Sequence, residues 1–142
     1  MHVIVGFLSF QDFINEIHHN APVVRIQDYY LTATTDLGIE WTTHYVELGA
    51  RQMSRSGSDE IYICRFRIGG GPTADQDRRV RDAENARRAA EALREHLGRK
   101  GFMVKPGLFA AAKETNVLAS GPWHFENDEQ GLPVLVPEFG EQ

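Results

Sequence analysis

The chain has 142 residues, of which 42% are hydrophobic and 25% are charged, and its formal net charge is −5. This length predicts one domain that can bury a core without a metal or a disulfide. The acidic charge argues against a dedicated nucleic-acid or membrane-surface protein. A single cysteine, Cys64, excludes an internal disulfide, and residues 1–8 lack a basic, cleavable leader. We therefore expect a cytoplasmic protein without a membrane span.

A short helix is predicted to begin at about Ser9. This serine is followed three residues later by an acid, a pattern typical of helix N-termini. The apolar face of the helix is formed by Phe10, Phe13, Ile14 and Ile17. Residues 1–8 fit either a strand or a backward extension of this helix, and the sequence leaves both open.

Three strands follow, and they are joined by short or polar connections. They cover Val23 to Thr34, Ile39 to Leu48 and Ile61 to Ile68. Asp36 and Gly38 predict a turn between the first two strands, and the polar segment Ala50 to Asp59 predicts a loop before the third. Consecutive strands with such connections predict an antiparallel meander.

The third strand alternates between an apolar and a polar face, since side chains point to opposite sides of a strand in turn. Its apolar face carries Tyr62, Cys64, Phe66 and Ile68. Arg65 and Arg67 point to the other face. The run Gly69, Gly70, Gly71 and Pro72 is then expected to end the strand and to form a flexible connector.

One long helix is predicted to follow this connector. Thr73 and Gln76 have the spacing of a capping box, and Gly98 and Gly101 predict the end of the helix. A narrow apolar stripe runs along one face through Val80, Ala83, Ala86, Ala90, Leu93 and Leu97. Because the stripe is mostly alanine, its partner must approach closely, and a sheet or a second copy of the helix would fit.

The C-terminal part has a weaker pattern. Phe102 to Val104 is expected to return to the sheet as a strand, and residues 115–142 are expected to form an extended, irregular segment. Its apolar tail would pack on its own domain or reach across a dimer. We therefore predict one α+β domain spanning residues 1–142. It has a mainly antiparallel sheet of four or more strands, a short N-terminal helix and one long helix packed on one face.

The glycine run before the long helix is the first candidate site, because phosphates bind where helix N-termini offer free amides. No Lys-Ser or Lys-Thr pair follows it, and the sequence lacks a spaced Gly-x-Gly-x-x-Gly. Asp75 and Asp77 would repel an anion. The run therefore predicts a connector, or one wall of a small-ligand pocket shared with Arg65, Arg67 and the segment from Trp123 to Glu126.

No residue spacing indicates a metal site or a nucleophile. None of the six histidines has the spacing of a zinc motif. His124 and Glu126 lie on one side of an extended piece, but they supply only two ligands. Cys64 is expected to be buried and inert. The sequence therefore favours a protein without metal, cofactor or intrinsic catalysis, while a triad assembled by the fold stays open.

The order helix, three strands, helix, from Ser9 to Leu97, resembles the double-stranded-RNA-binding domain. Members of that family use a basic cluster at the start of the second helix. Arg78, Arg79 and Arg81 lie near this position, interleaved with three aspartates. The resemblance implies a nucleic-acid-binding module with an αβββα core.

A protein interface is the remaining candidate, because aromatic residues that often anchor interfaces are numerous. They are Tyr29, Tyr30, Trp41, Trp123 and Phe125. Our leading hypothesis is a small cytoplasmic binding or adaptor protein that forms a homodimer or binds another protein. Arg65, Arg67 and the Ala50 to Asp59 loop would form its contact surface. The alternative is an enzyme or small-ligand-binding protein with a pocket near Gly69 to Gly71. The ligand or partner contacts are predicted to be Arg65, Arg67, Gly69, Gly70, Gly71, Trp123, His124 and Glu126.

Overall fold

The computed structural model describes residues 2–17, 23–53, 59–108, 123–127 and 133–137. Within these ranges it contains two helices, α1 (Phe10–Ile17) and α2 (Gln76–Arg99). The strands are β1 (His2–Phe7), β2 (Val23–Thr34), β3 (Glu40–Met53), β4 (Asp59–Pro72), β5 (Met103–Pro106), β6 (Trp123–Asn127) and β7 (Pro133–Pro137). Neither described helix is long and apolar enough to cross a membrane.

Five strands form the main sheet in the order β1-β4-β3-β2-β5. Strands β2, β3 and β4 make the predicted antiparallel meander, whereas β1 pairs in parallel with β4 and β5 in parallel with β2. The predicted α+β class is confirmed, and the two parallel edges make the sheet mixed. Residues 2–7, which fitted a strand or a helix, form a strand.

Both helices pack on one face of the sheet, which we call the helix face. Their buried residues enclose a core with alternate residues of β2, β3 and β4, among them Val24, Ile26, Val46, Leu48, Cys64 and Phe66. The α2 stripe is buried from Ala86 to Leu97, as predicted. The prediction is wrong for Val80 and Ala83, which are exposed because an open space separates this side of α2 from β2 and β3.

The start of α2 differs from the predicted capping box. The N-cap is Asp75, whose carboxylate accepts a hydrogen bond from the Arg78 amide at 3.1 Å. The Thr73 hydroxyl is instead hydrogen-bonded to the Thr42 hydroxyl at 2.6 Å. The end of the helix is confirmed, since Gly101 has a φ of 96°, a conformation that favours glycine.

The glycine run belongs to β4, so its predicted role as a connector is wrong. Gly69 pairs with His44, Gly70 with Thr43 and Gly71 with Thr42. The register shifts between His44 and Tyr45, which leaves Ile68 unopposed in the ladder. Glycine fits this part of β4 because α2 crosses close to it and leaves little space for side chains.

Strand β3 is longer than predicted. It continues to Met53, and Ala50 is buried in the core. The predicted loop from Ala50 to Asp59 is therefore wrong for its first four residues and for Asp59, which begins β4. The rest of that loop, residues 54–58, lies outside the described residues, so the contact surface predicted there stays a prediction.

The C-terminal segment contains a two-stranded antiparallel sheet formed by β6 and β7, in which Trp123 pairs with Pro137. Part of the segment predicted to be irregular is thus a hairpin. Residues 109–122, 128–132 and 138–142 lie outside the described residues. Of Trp123, His124 and Glu126, only the backbone is described, as part of β6.

Candidate functional site

A cavity of about 580 Å³ lies between the first turns of α2 and the helix face of β2 and β3. The sheet lines it with Asp28, Tyr29, Tyr30, Thr42 and His44. The helix lines it with Gln76, Arg79, Val80 and Ala83. We call this space the α2 cavity. Its volume falls in the usual range of small-molecule binding sites, which is about 300–1,000 Å³.

An ion pair between Arg78 and Asp82, one helical turn apart, holds α2 against the glycine end of β4. Arg78 also donates from Nη2 to the carbonyl oxygen of Gly71 at 3.0 Å. A Cβ atom on Gly69 would lie 2.5 Å from Oδ1 of Asp82, and one on Gly71 would lie 2.5 Å from Nε of Arg78. The two glycines therefore make room for the ion pair, and the cavity opens beside it over β2 and β3.

His44 lies on the floor of the α2 cavity and is 6% exposed. Its ring packs against Tyr30, with 5.6 Å between the ring centroids, and no side chain or backbone group that the structure describes forms a hydrogen bond with its buried Nδ1. Burial lowers the pKa of His44, and the nearby Asp82 carboxylate offsets this only in part. The imidazole is therefore neutral at pH 7 and can donate one hydrogen bond and accept another.

The cavity also contains one cation and one anion. Arg79 donates from Nη1 to the Thr73 carbonyl oxygen at 3.3 Å, and its buried Nε has no partner within the described ranges. Asp28 is half-buried, and no other described residue forms a hydrogen bond or ion pair with its carboxylate. Neither charge is neutralised by a direct ion pair with the described part of the protein.

A buried polar cluster lies on the sheet face opposite the helix face. Glu47 and Arg65 are register partners there, with side chains only 1% and 2% exposed. The Tyr29 hydroxyl donates to Oε1 of Glu47 at 2.6 Å and accepts from Nη1 of Arg65 at 3.0 Å. The Arg65 guanidinium lies 4.4 Å from the centre of the Tyr45 ring.

Burial controls the protonation of this cluster. It raises the pKa of Tyr29, and the hydrogen bond to Glu47 raises it further, so the hydroxyl stays protonated and remains a donor. Burial also raises the pKa of Glu47, although the Tyr29 hydrogen bond and the Arg65 charge oppose this. Arg65 was predicted to point to a polar contact surface. Arg65 does point away from the helix face, but it is buried beside Glu47, so the expected exposure is wrong for this residue and its role as a contact stays a prediction.

Of the eight residues predicted as contacts, the five with described side chains, Arg65, Arg67 and Gly69 to Gly71, do not line the α2 cavity. The prediction for Trp123, His124 and Glu126 lies outside the described side chains. Gly69 and Gly71 contact the Arg78–Asp82 ion pair, whereas a Cβ on Gly70 would point toward Thr43. Arg67 is exposed elsewhere on the sheet. The alternative, an enzyme or small-ligand-binding protein with a pocket near Gly69 to Gly71, stays a prediction.

Sequence reasoning missed Asp28, His44 and Arg79 as residues of one site. The only local signal was His44, which shares the apolar face of β3 with Val46 and Leu48. The basic cluster near the start of α2 is also arranged differently from the double-stranded-RNA-binding pattern. Arg78 is paired with Asp82 and Arg79 lines the cavity.

No family model matches this chain, and no curated protein or solved structure matches it either. In the described part of the chain, no group of three or more His, Cys, Asp or Glu side chains could hold a metal ion.

Proposed function

We propose that this protein binds a small organic molecule in the α2 cavity. The observation that carries the proposal is a cavity of ligand size over a buried, neutral His44 whose Nδ1 has no hydrogen-bond partner among the described residues. A buried polar atom without a hydrogen bond costs about 1–3 kcal/mol, and a bound ligand that pairs with it would remove this cost.

The helix wall of the cavity supports the same proposal. Val80 continues the buried stripe of α2 toward its N-terminus but is 66% exposed. Together with Ala83 and the Tyr30 ring, it gives the cavity an apolar side opposite its polar groups. Such a combination of apolar surface and a few convergent polar groups is typical of small-molecule sites.

Fragment binding followed by NMR tests this proposal. We expect small polar and aromatic fragments to shift the resonances of Tyr30, His44 and Val80 together. The variant Ala83→Trp should abolish these shifts by filling the cavity. Glu95→Trp, on an exposed position of α2 outside the cavity, should leave them unchanged. Fragments that perturb other regions while these resonances stay constant would contradict the proposal.

A second candidate, self-association, is favoured by the outer edge of β2. Strand β5 pairs with β2 only from Val23 to Ile26, so the edge from Gln27 to Thr34 has no neighbouring strand among the described residues. Tyr30 and Leu31 on this edge are exposed, and the segment contains no lysine or proline. Exposed edges of this kind pair with strands of other chains.

We accordingly propose a homodimer with antiparallel pairing of two β2 edges, as expected of an adaptor protein. Sedimentation velocity at micromolar concentration tests it. Leu31→Lys places a charge on the edge and should yield monomers, whereas Leu37→Lys, in the exposed turn before β3, should not change the mass. A monomeric native protein would contradict this candidate. A cytoplasmic location belongs to the same proposal and agrees with the cysteine content, since the single Cys64 cannot form an internal disulfide.

A further inference from the structure

We propose that the ligand of the α2 cavity is a zwitterion, with a cationic group that binds Asp28, an anionic group that binds Arg79, and an apolar or planar body between them. This inference rests on the proposed small-molecule function and adds the chemical class of the ligand. It follows from the positions of the Asp28 carboxylate and the Arg79 guanidinium and from the uncharged surface between them.

The two charges lie at opposite ends of the cavity floor. Strand pairing places Asp28 opposite Val46, Tyr30 opposite His44 and Thr32 opposite Thr42. From Asp28 to Thr32 the strand advances by about 13 Å, at roughly 3.3 Å per residue. Thr42 is hydrogen-bonded to Thr73, whose carbonyl oxygen accepts from Arg79. The guanidinium therefore marks one end of the floor and the Asp28 carboxylate the other.

The Asp28 carboxylate and the Arg79 guanidinium determine which ligand fits the cavity. Two opposite charges without direct partners in a partly buried space each favour a counter-charge, because the local dielectric constant is lower than that of water. A singly charged ligand would satisfy one end and leave the other without a partner. A zwitterion satisfies both ends and adds no net charge to the cavity.

The middle of the cavity is uncharged. The rings of Tyr30 and His44 pack together there, and Val80 and Ala83 face them from the helix. Since burial keeps His44 neutral, it adds a hydrogen-bonding group without adding a third charge. This surface fits a methylene chain or an aromatic ring that connects the two charged groups of the ligand.

Calorimetric and NMR titrations with defined probes test the inference. The zwitterionic probes are ε-aminocaproate and para-(aminomethyl)benzoate. The singly charged probes are caproate and hexylamine, and glycine is a zwitterion too short to reach both ends. We expect the two long zwitterions to bind at least tenfold more tightly than caproate, hexylamine or glycine, and to shift the resonances of Tyr30 and His44.

Charge variants assign the two ends. Asp28→Asn should remove the advantage of ε-aminocaproate over caproate without weakening caproate binding. Arg79→Gln should remove its advantage over hexylamine without weakening hexylamine binding. Arg81→Gln, exposed on α2 and outside the cavity, is the control and should change neither. Circular dichroism establishes that each variant is folded.

The outcomes separate this inference from the function on which it rests. Equal affinity for zwitterions and singly charged probes, with shifts at Tyr30 and His44, would overturn the zwitterion assignment and leave small-molecule binding intact. The assignment would also fail if Arg81→Gln weakened binding as much as Arg79→Gln. If neither these probes nor neutral fragments perturbed the cavity resonances, both proposals would fall.

Discussion

Glu47 lies directly opposite Arg65 in the ladder between β3 and β4, and the Tyr29 hydroxyl bridges their side chains. Three neighbouring strands thus contribute one group each to a buried polar cluster. Such clusters stabilise a fold only while every member keeps its partner, because the low dielectric constant makes an unpaired charge costly. The cluster therefore favours the strand register that places Glu47 opposite Arg65.

We expect Glu47→Ala to lower the free energy of unfolding by about 3 kcal/mol, because it removes the acceptor of Tyr29 and the charge beside Arg65. Glu47→Gln keeps an oxygen that can accept from Tyr29 and should cost less. Urea denaturation measures both variants. Glu84→Ala, which removes an exposed partner of Arg87, is the control and should have a much smaller effect. A similar loss for Glu47→Ala and Glu84→Ala would contradict the role of the cluster.

Stability is expected to fall as the pH is lowered from 7.5 to 5.5. Burial lowers the pKa of both His44 and His96, so below about 6.5 the unfolded chain binds protons that the folded chain does not. Each histidine contributes at most about 1.4 kcal/mol per pH unit. Urea denaturation across this range should show a positive slope of unfolding free energy against pH.

The variants His44→Gln and His96→Gln identify the source of this slope. Each should flatten it, and the double variant should flatten it most. Glu47, whose pKa burial raises, acts in the opposite direction at lower pH, because the folded protein then holds a proton that the unfolded chain releases. Unchanged slopes in both histidine variants would show that other groups control the acid sensitivity.

Features with local causes could be predicted from the sequence. The β-branched and aromatic run from Val23 to Thr34 forms β2 with the predicted bounds, and Gly101 ends α2 because the last turn requires a positive φ. The spacing of apolar residues also predicted the buried part of the α2 stripe. In each case the residues that make the pattern are neighbours in the chain.

Features with distant causes could not be predicted. Arg65 has the spacing of an outward-facing residue, and only the register of β3 brings Glu47 beside it. The α2 cavity likewise combines Asp28, His44 and Arg79 from three separate elements. In the sequence, each of them is an ordinary polar residue of a strand or helix. The site forms only when α2 packs on the sheet.

The N-cap of α2 offers a further test, because it is Asp75 in the structure, whereas the sequence predicted Thr73. Asp75→Ala removes the acceptor of the Arg78 amide and should lower the free energy of unfolding by about 1 kcal/mol. Asp75→Asn retains an acceptor oxygen and should restore most of this stability. Thermal denaturation measures both variants. A smaller loss in Asp75→Asn than in Asp75→Ala would support capping, whereas equal losses in the two variants would contradict it.

The glycines of β4 allow a direct test of how closely α2 packs against this strand. Gly69→Ala would place a Cβ atom 2.5 Å from Oδ1 of Asp82, so we expect a loss of about 1–3 kcal/mol as the Arg78–Asp82 pair is displaced. Gly98→Ala is the matched control. No atom lies within 4 Å of its added methyl group, and alanine favours the helix by about 0.5–1 kcal/mol.

The two substitutions should therefore change the free energy of unfolding in opposite directions, which urea denaturation can measure. Combining Gly69→Ala with Asp82→Ala should cost less than the sum of the two single variants, because the methyl group then occupies space left by the carboxylate. Additive losses in the double variant would mean that Asp82 does not lie over Gly69. In that case, the space needed by the Arg78–Asp82 ion pair would not explain the glycine run.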